Sequence, residues 1–559
     1  MTISSSSGAP APPRNSARWL PLLGLIAFTL IWFGLLAKRP LYDPDEGRYA
    51  EIPREMLESG DWVIPHLDSL VYLEKPPLQY WLTAATYRVL GESEFTARLW
   101  TGVAGYCSLA LVFFAGSHLW GRRAGVKALL LMMGSTLFVL MGHQLTLDMM
   151  LSTWLLASLI CFLLAESVAA SAHPSPRRHA YWMLGCWASM AFAVLTKGPI
   201  GVLIPSCTLF FYALWQRDAG ILRRLNVRWG LPLFAVITLP WFVLAAREND
   251  DFLYYFFIRE HVQRFLTPIE HRTEPWWFFL PVLGVGLLPW LPQVLRAATL
   301  PFGPRTHRSF DPVRLLWIWS VFVLVFFSSS HSKLIPYILP AVPALALLCA
   351  SPAPTWRRDL AIGACTSMAA CIGILLYTSG IGTSGQSHRL ALELSRPLAV
   401  TATLLAASGL GCLWLLSRAR LEGALAVLCV GWFLATAGVL LAADVVQENF
   451  SSKDAALELR SQASASAPVF SVQNYEQSFT FYLRRPVVLV DYRDEFTLGL
   501  TEAPARGIPK LEQFSNRWRS LNQGYALMPY FALERLTAQG LPMHEVARFP
   551  NTVLVSRRP

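Results

Sequence analysis

Three short stretches of this chain crowd acids, cations and aromatic residues together, at 40–56, 73–80 and 252–264. In the first, Asp43-Pro-Asp-Glu-Gly-Arg sets three carboxylates within four residues. Asp43 before Pro44 reads as N-cap and first helical position. Asp45 and Glu46 then fall in the first turn, where the helix dipole favours anions, and Ser59-Gly60 ends the helix. Capping uses one acid, so Asp45 and Glu46 are left as candidates for chemistry. In the second stretch Glu74-Lys75 precedes Pro76-Pro77, which stiffen the backbone and remove two N–H donors. Lys75 there is either a snorkelling cation or a compact point charge for a lipid phosphate. In the third, Arg264 can grip a phosphate through two N–H groups. Arg259 can do the same or pair with Glu260, and His261 offers an acid, a base, a metal ligand or merely a structural ring. Asp148 opens an apolar run, as a cap or as a reacting carboxylate. Lys333 and Tyr337 lie four apart, on one face if helical, and can add donors to an anionic site.

These residues need elements to hold them, and the composition says which. Hydrophobic residues make up 54% of the 559, charged residues only 15%, with 21 Trp and 32 Phe. Soluble chains do not have this balance. Apolar runs long enough to cross a bilayer recur through residue 443. We expect about thirteen spans, near 19–37, 97–119, 124–142, 148–170, 180–196, 198–216, 229–246, 276–295, 313–329, 333–350, 359–379, 396–416 and 421–443. Alternate connections carry the arginines and lysines, from Arg122, Arg123 and Lys127 through to Arg418 and Arg420. The positive-inside rule puts them in the cytoplasm, with Arg14 and Arg18. The formal charge of +11 therefore belongs to loops between spans and is no nucleic-acid footprint. The nine Cys show no metal spacing and read as buried small hydrophobes.

The opposite side holds two long loops, 38–96 and 247–275, and ionisable turns such as Thr196-Lys-Gly-Pro199. Ionisable groups at membrane depth are costly and usually functional, so a site at the outer membrane–water boundary is expected. The two helices in loop 38–96 should lie on the membrane surface. The aromatic 247–275 loop has the length of a lid. Residues 1–18 read as a disordered cytoplasmic tail, and 19–443 as the membrane domain. Residues 444–559 read as a small α/β domain outside the cytoplasm. Its strands are expected at 468–473, 478–483, 486–491 and 551–556, its helices near 451–463, 508–521 and 531–539.

The motifs Asp43-Pro-Asp-Glu-Gly-Arg-Tyr, Leu73-Glu-Lys-Pro-Pro-Leu, Glu260-His-Val-Gln-Arg-Phe265 and Ser332-Lys-Leu-Ile-Pro-Tyr-Ile-Leu-Pro340 resemble those of bacterial lipid A aminoarabinose transferases. These belong to the protein-mannosyltransferase-like glycosyltransferases with the GT-C fold. The resemblance implies a polytopic inner-membrane enzyme, acting on the periplasmic face as a monomer. It would move 4-amino-4-deoxy-L-arabinose from undecaprenyl phosphate to a lipid A phosphate, masking negative charge and giving resistance to cationic peptides. It implies Asp45 in catalysis, to which the reading of the residues adds Glu46 and Asp148 as candidate acids. Lys75 would hold the donor phosphate, joined by Arg264 and Tyr337, and the reading of the residues adds Lys333 and Arg259 as further candidates. Members of the family can carry a divalent metal such as zinc nearby, for which Glu74 and His261 are this chain's candidates, although no ligand spacing marks them.

Two other readings compete. A related transferase with another sugar, or with a protein or glycan acceptor, would share the early motifs. A lipid or solute transporter would show internal repeats and charges at mid-membrane. This sequence shows no repeat, and its charges gather at one face.

Overall fold

A computed structural model describes residues 19–267, 273–303, 310–352, 356–380, 385–464 and 466–558. The expected tail at 1–18 lies outside the described residues, as does 268–272 of the second long loop. Each of the thirteen expected spans falls on a helix or a broken helix. Among the described residues, seven helices are long and apolar enough to cross a membrane on their own. The chain is thus a multi-pass membrane protein. Of the remaining expected spans, 180–196 lies on the unbroken helix Pro176–Lys197 and the others are shorter or interrupted. Residues 122–142 form two helices, Arg122–Met133 and Thr136–Gly142, bent by 71°. The 276–295 run divides into Phe279–Gly286 and Leu291–Ala297, and 333–350 enters as a 3-10 turn before Ala341–Ala350. Prolines explain two of the breaks: Pro289 and Pro336 each lack the N–H that a continuous ladder needs.

The two helices of the first long loop form as expected, over Asp45–Ser59 and Leu78–Leu90. The first does not lie open on the membrane. Every residue from Glu46 to Met56 is buried, because the C-terminal domain sits on it. Asp43 is no cap: its carboxylate accepts from Ser478 N at 2.5 Å and Ser478 Oγ at 2.6 Å, in the C-terminal domain. Gly47 makes the approach possible, since a Cβ there would stand 2.2 Å from Ser478 N.

That domain carries a six-stranded sheet, in spatial order Gly507–Ile508, Val488–Val490, Val469–Val472, Tyr525–Pro529, Thr552–Ser556 and His544–Arg548. The first four strands run parallel and the last two join antiparallel. The expected strand at 478–483 is instead the helix Gln477–Leu483, buried along its whole length. Alternating Phe, Thr and Tyr suggested a strand, but packing against the Asp45–Ser59 helix overrides that local preference. One apolar cluster runs through the seam, with Tyr49, Ile52 and Met56 on one side and Phe479, Phe481 and Tyr482 on the other.

Candidate functional site

Two cavities meet beneath the seam. A polar chamber of about 470 Å³ is lined by Asp45, Arg48, Tyr49, Glu74, Gln144, Arg259, Asp494, Glu495 and Thr497 among others. An apolar pocket of about 550 Å³ is lined by Leu151, Ile200, Leu203, Phe257, Ile258, Val262, Phe265, Leu266, Phe326 and Phe327 among others. Both walls include Lys75, Asp148, Lys197, Glu260, Arg264 and Tyr337. The junction is thus made of three cations, two carboxylates and a phenol.

Each side chain is aimed by its element. Lys75 precedes the two prolines that lead into the Leu78–Leu90 helix. Its ammonium donates to Glu74 O at 3.0 Å and stands 3.5 Å from the Glu260 carboxylate. Burial pushes its pKa below the ordinary lysine value, with Glu260 acting against that shift. Arg264 donates to Glu260 Oε2 at 2.9 Å and lies 3.7 Å from Glu74. Burial opposes charge on Glu74, but Lys75, Arg264 and Arg48 outweigh it and hold the carboxyl below its usual range. Lys197, at the end of the Pro176–Lys197 helix, donates to Asp148 Oδ1 at 2.5 Å. It also stands 4.6 Å above the Tyr337 ring. Residues Tyr254–Gln263 form a π-helix. Its wider turn presents Phe257, Ile258 and Val262 to the apolar pocket, while Arg259 faces the polar chamber and stacks 4.7 Å over Tyr255. In place of a lid over the site, the described part of 247–275 is a wall of it.

Asp45 opens onto the chamber with its side chain 30% exposed and is held by Arg48 at 2.9 Å. Tyr337 sits in the 3-10 turn Ile335–Ile338 and lines both cavities. Two expected residues line neither cavity. Lys333 precedes that turn, so helical i,i+4 spacing does not apply. Its ammonium is spent on the carbonyls of Ser330, at 2.5 Å, and Glu274, at 2.9 Å. Glu46 points the other way, fully buried, into Arg39 and Arg98. Burial opposes its charge, but the two guanidiniums hold its carboxyl far below the usual range.

Glu74 and His261, the expected metal pair, are each engaged by neighbouring groups. His261 Nδ1 lies 2.6 Å from Phe256 O and Nε2 lies 3.4 Å from Lys197 O. Burial and the Lys75 charge push its pKa down to about 4, so the ring is neutral. Gly198 lets it approach, since a Cβ there would meet Nε2 at 2.6 Å. Glu74 faces Tyr72, Lys75 and Arg264. Among the described residues no group of three or more His, Cys, Asp or Glu could hold an ion.

Sequence reasoning missed Lys197, Arg48, Gln144 and the C-terminal contribution of Asp494, Glu495 and Thr497. For Lys197 a signal existed, a lone lysine before Gly-Pro in a turn on the acid-rich face. For the C-terminal residues none did, because only the docking of the two domains makes them neighbours of Asp45.

Comparison with known proteins agrees with this geometry. The family described as dolichyl-phosphate-mannose-protein mannosyltransferase matches residues 19–256. The family described as aminoarabinose transferase C-terminal domain matches residues 455–557. Among curated relatives, an undecaprenyl phosphate-alpha-4-amino-4-deoxy-L-arabinose arabinosyl transferase of Sodalis glossinidius is 35% identical over 66% of this chain and 66% of its own. One of the same name from Erwinia tasmaniensis is 32% identical over 70% of this chain and 71% of its own. Most of the curated relatives are matched over less than two thirds of their own length, from 56% to 66%, and the Erwinia one over 71%. The structure match is fuller. The crystal structure of ArnT from Cupriavidus metallidurans bound to undecaprenyl phosphate aligns with a TM-score of 0.88 at 31% identity, over 97% of this chain and 98% of that one. The architecture is therefore the GT-C fold with a C-terminal α/β domain.

Proposed function

This chain belongs to the undecaprenyl phosphate-dependent aminoarabinose transferase family, and from that premise we propose that it moves 4-amino-4-deoxy-L-arabinose from undecaprenyl phosphate to a phosphate of lipid A. The observation that carries the proposal is the junction. A lipid-linked sugar phosphate has an apolar tail, one anionic group and a polar head, in that order. The two cavities offer an apolar pocket, then Lys75, Lys197 and Arg264, then a polar chamber.

The chemistry follows from charge. A phosphate acceptor is already an anionic nucleophile at neutral pH, so a strong base is not required. The demanding event is departure of the polyprenyl phosphate, which gains charge as the glycosidic C–O bond breaks. Preorganised Lys75, Arg264 and the Tyr337 hydroxyl are suited to stabilise that charge. Glu74 and Glu260 keep the two cations in place and yield them to the phosphate on binding. Asp45 and Asp148, each held by a cation, orient the sugar and the acceptor in the chamber. Inversion at the anomeric carbon follows if the acceptor attacks opposite the leaving phosphate. The positive loops favour a cytoplasmic side away from the site, so the chamber would face the periplasm from the inner membrane. Masking lipid A phosphates there would lower the binding of cationic peptides.

The test is mass spectrometry of lipid A from cells with the gene, without it, and with Asp45→Asn. A pentosamine mass that depends on the intact gene supports the proposal. Unchanged lipid A with the donor lipid demonstrably present rejects the acceptor, leaving a polyprenyl-phosphate transferase with another acceptor.

A further inference from the structure

The helix that carries Asp45 is clamped from above by the C-terminal domain, and one contact of that clamp reaches the site. Arg48 is one helical turn from Asp45 and bonds it through Nη1 at 2.9 Å. The same guanidinium donates through Nε to Glu495 Oε2 at 2.5 Å. Glu495 sits in the 3-10 turn Asp494–Phe496 of the C-terminal domain. Its other oxygen accepts from Gln477 Nε2 at 2.6 Å, so the carboxylate is itself fixed. Exposure grades along the chain of contacts. The Asp45 side chain is 30% exposed, that of Arg48 10% and that of Glu495 6%. All three line the chamber, and Asp45 is the most open of them to a substrate.

We propose that Glu495 is a positioning residue for the transfer reaction. Its carboxylate aims Arg48, and through Arg48 it sets the Asp45 carboxylate in the chamber, so that the α/β domain is a working wall of the active site. The inference rests on the transferase reading for its kinetic test but not for its structural one. The physical reason is the freedom of a long side chain. An arginine bonded only to Asp45 could swing with it. With a second buried anion at Nε, the fork has one orientation, and side chains supported in this way hold catalytic geometry closely. Other contacts of the seam, such as Asp43 with Ser478 and Asp68 with Val487, dock the domain without touching Arg48.

The experiment uses the full chain in detergent or nanodiscs, with Glu495→Gln, Arg48→Gln, the double variant and Ser478→Ala. Glu495→Gln should lower kcat by about tenfold to a hundredfold while the donor KM moves less than about twofold. In the double variant, loss of Glu495 should add almost nothing to loss of Arg48, because the first acts through the second. Ser478→Ala, which loosens docking alone, should lower thermal stability and leave kcat near wild type. Losses that multiply in the double variant would overturn the proposal, as would a kcat for Ser478→Ala that falls with Glu495→Gln. A structure of Glu495→Gln decides the point without any substrate. Arg48 displaced from Asp45 supports positioning, and a retained Arg48–Asp45 bond defeats it. If wild type transfers nothing to lipid A, the functional reading fails, and that structure still judges Glu495.

Discussion

Glu46 gives the sharpest separation between a residue that does chemistry and one that builds the site, because sequence and structure assign it differently. Its carboxylate accepts from Arg98 Nε at 2.9 Å and Nη2 at 2.8 Å, from both Nη atoms of Arg39, and from the N–H groups of Tyr42 at 3.0 Å and Leu145 at 2.8 Å. Arg98 spends its remaining donors on the carbonyls of Leu36, Arg39 and Pro40, so all five of its N–H groups are used. Both Glu46 and Arg98 are fully buried. Glu46→Gln keeps the shape but leaves two buried guanidiniums facing an amide. Removing one partner of a buried pair costs about 3–5 kcal/mol. The contacts share one carboxylate and do not add, so Glu46→Gln should lose about 4 kcal/mol and Glu46→Ala somewhat more. Against a usual margin of about 5–15 kcal/mol, yield and melting temperature in detergent should both fall clearly. Turnover per folded molecule should stay within a small factor of wild type. A variant that melts with wild type yet is catalytically dead would refute this reasoning and return Glu46 to the chemistry. The pH dependence has a definite sign. The folded carboxyl lies below its unfolded value, so its contribution is present above about pH 4.3 and fades as pH falls further. Glu46→Gln should lack that acid-side loss.

The remaining predictions concern the junction and the seam. Lys75→Met should keep the fold and lower kcat/KM by about 10²–10³-fold, the scale of losing one preorganised charge donor; normal turnover in a folded variant removes Lys75 from the mechanism. Because burial lowers the Lys75 pKa, the cation is lost below the free-lysine value of about 10.4, giving wild type an alkaline limb that Lys75→Met should lack. His261, pushed down to about 4, carries no charge between pH 5.5 and 8, so its replacement by Gln should cost far less than the about 10²-fold of a lost acid or base; an activity profile that changes shape in that range would contradict it. Gly47→Ala would set a methyl 2.2 Å from Ser478 N, so limited proteolysis should release the C-terminal domain faster than in wild type.

The membrane architecture was legible because hydropathy and charge act locally. A span needs only its own apolar residues, and the side of a loop follows from its own arginines, so thirteen segments could be placed from the chain alone. The same holds for Asp45, Lys75, Asp148, Arg264 and Tyr337, whose polar groups stand out where an apolar run begins or ends. Tertiary structure decided what those signals could not. Glu46 and Asp45 are adjacent in one helical turn, and about 100° of rotation separates a buried ion pair from an open carboxylate. The Gln477–Leu483 segment has the pattern of a strand and becomes a helix only because the Asp45–Ser59 helix needs a partner there. Lys333 and Tyr337 are spaced for one helical face, yet an extended entry sends the ammonium to backbone carbonyls. Glu495 lies 450 residues beyond Asp45. Two groups so far apart in the chain become neighbours through domain docking, a long-range packing event that leaves no mark on either local sequence.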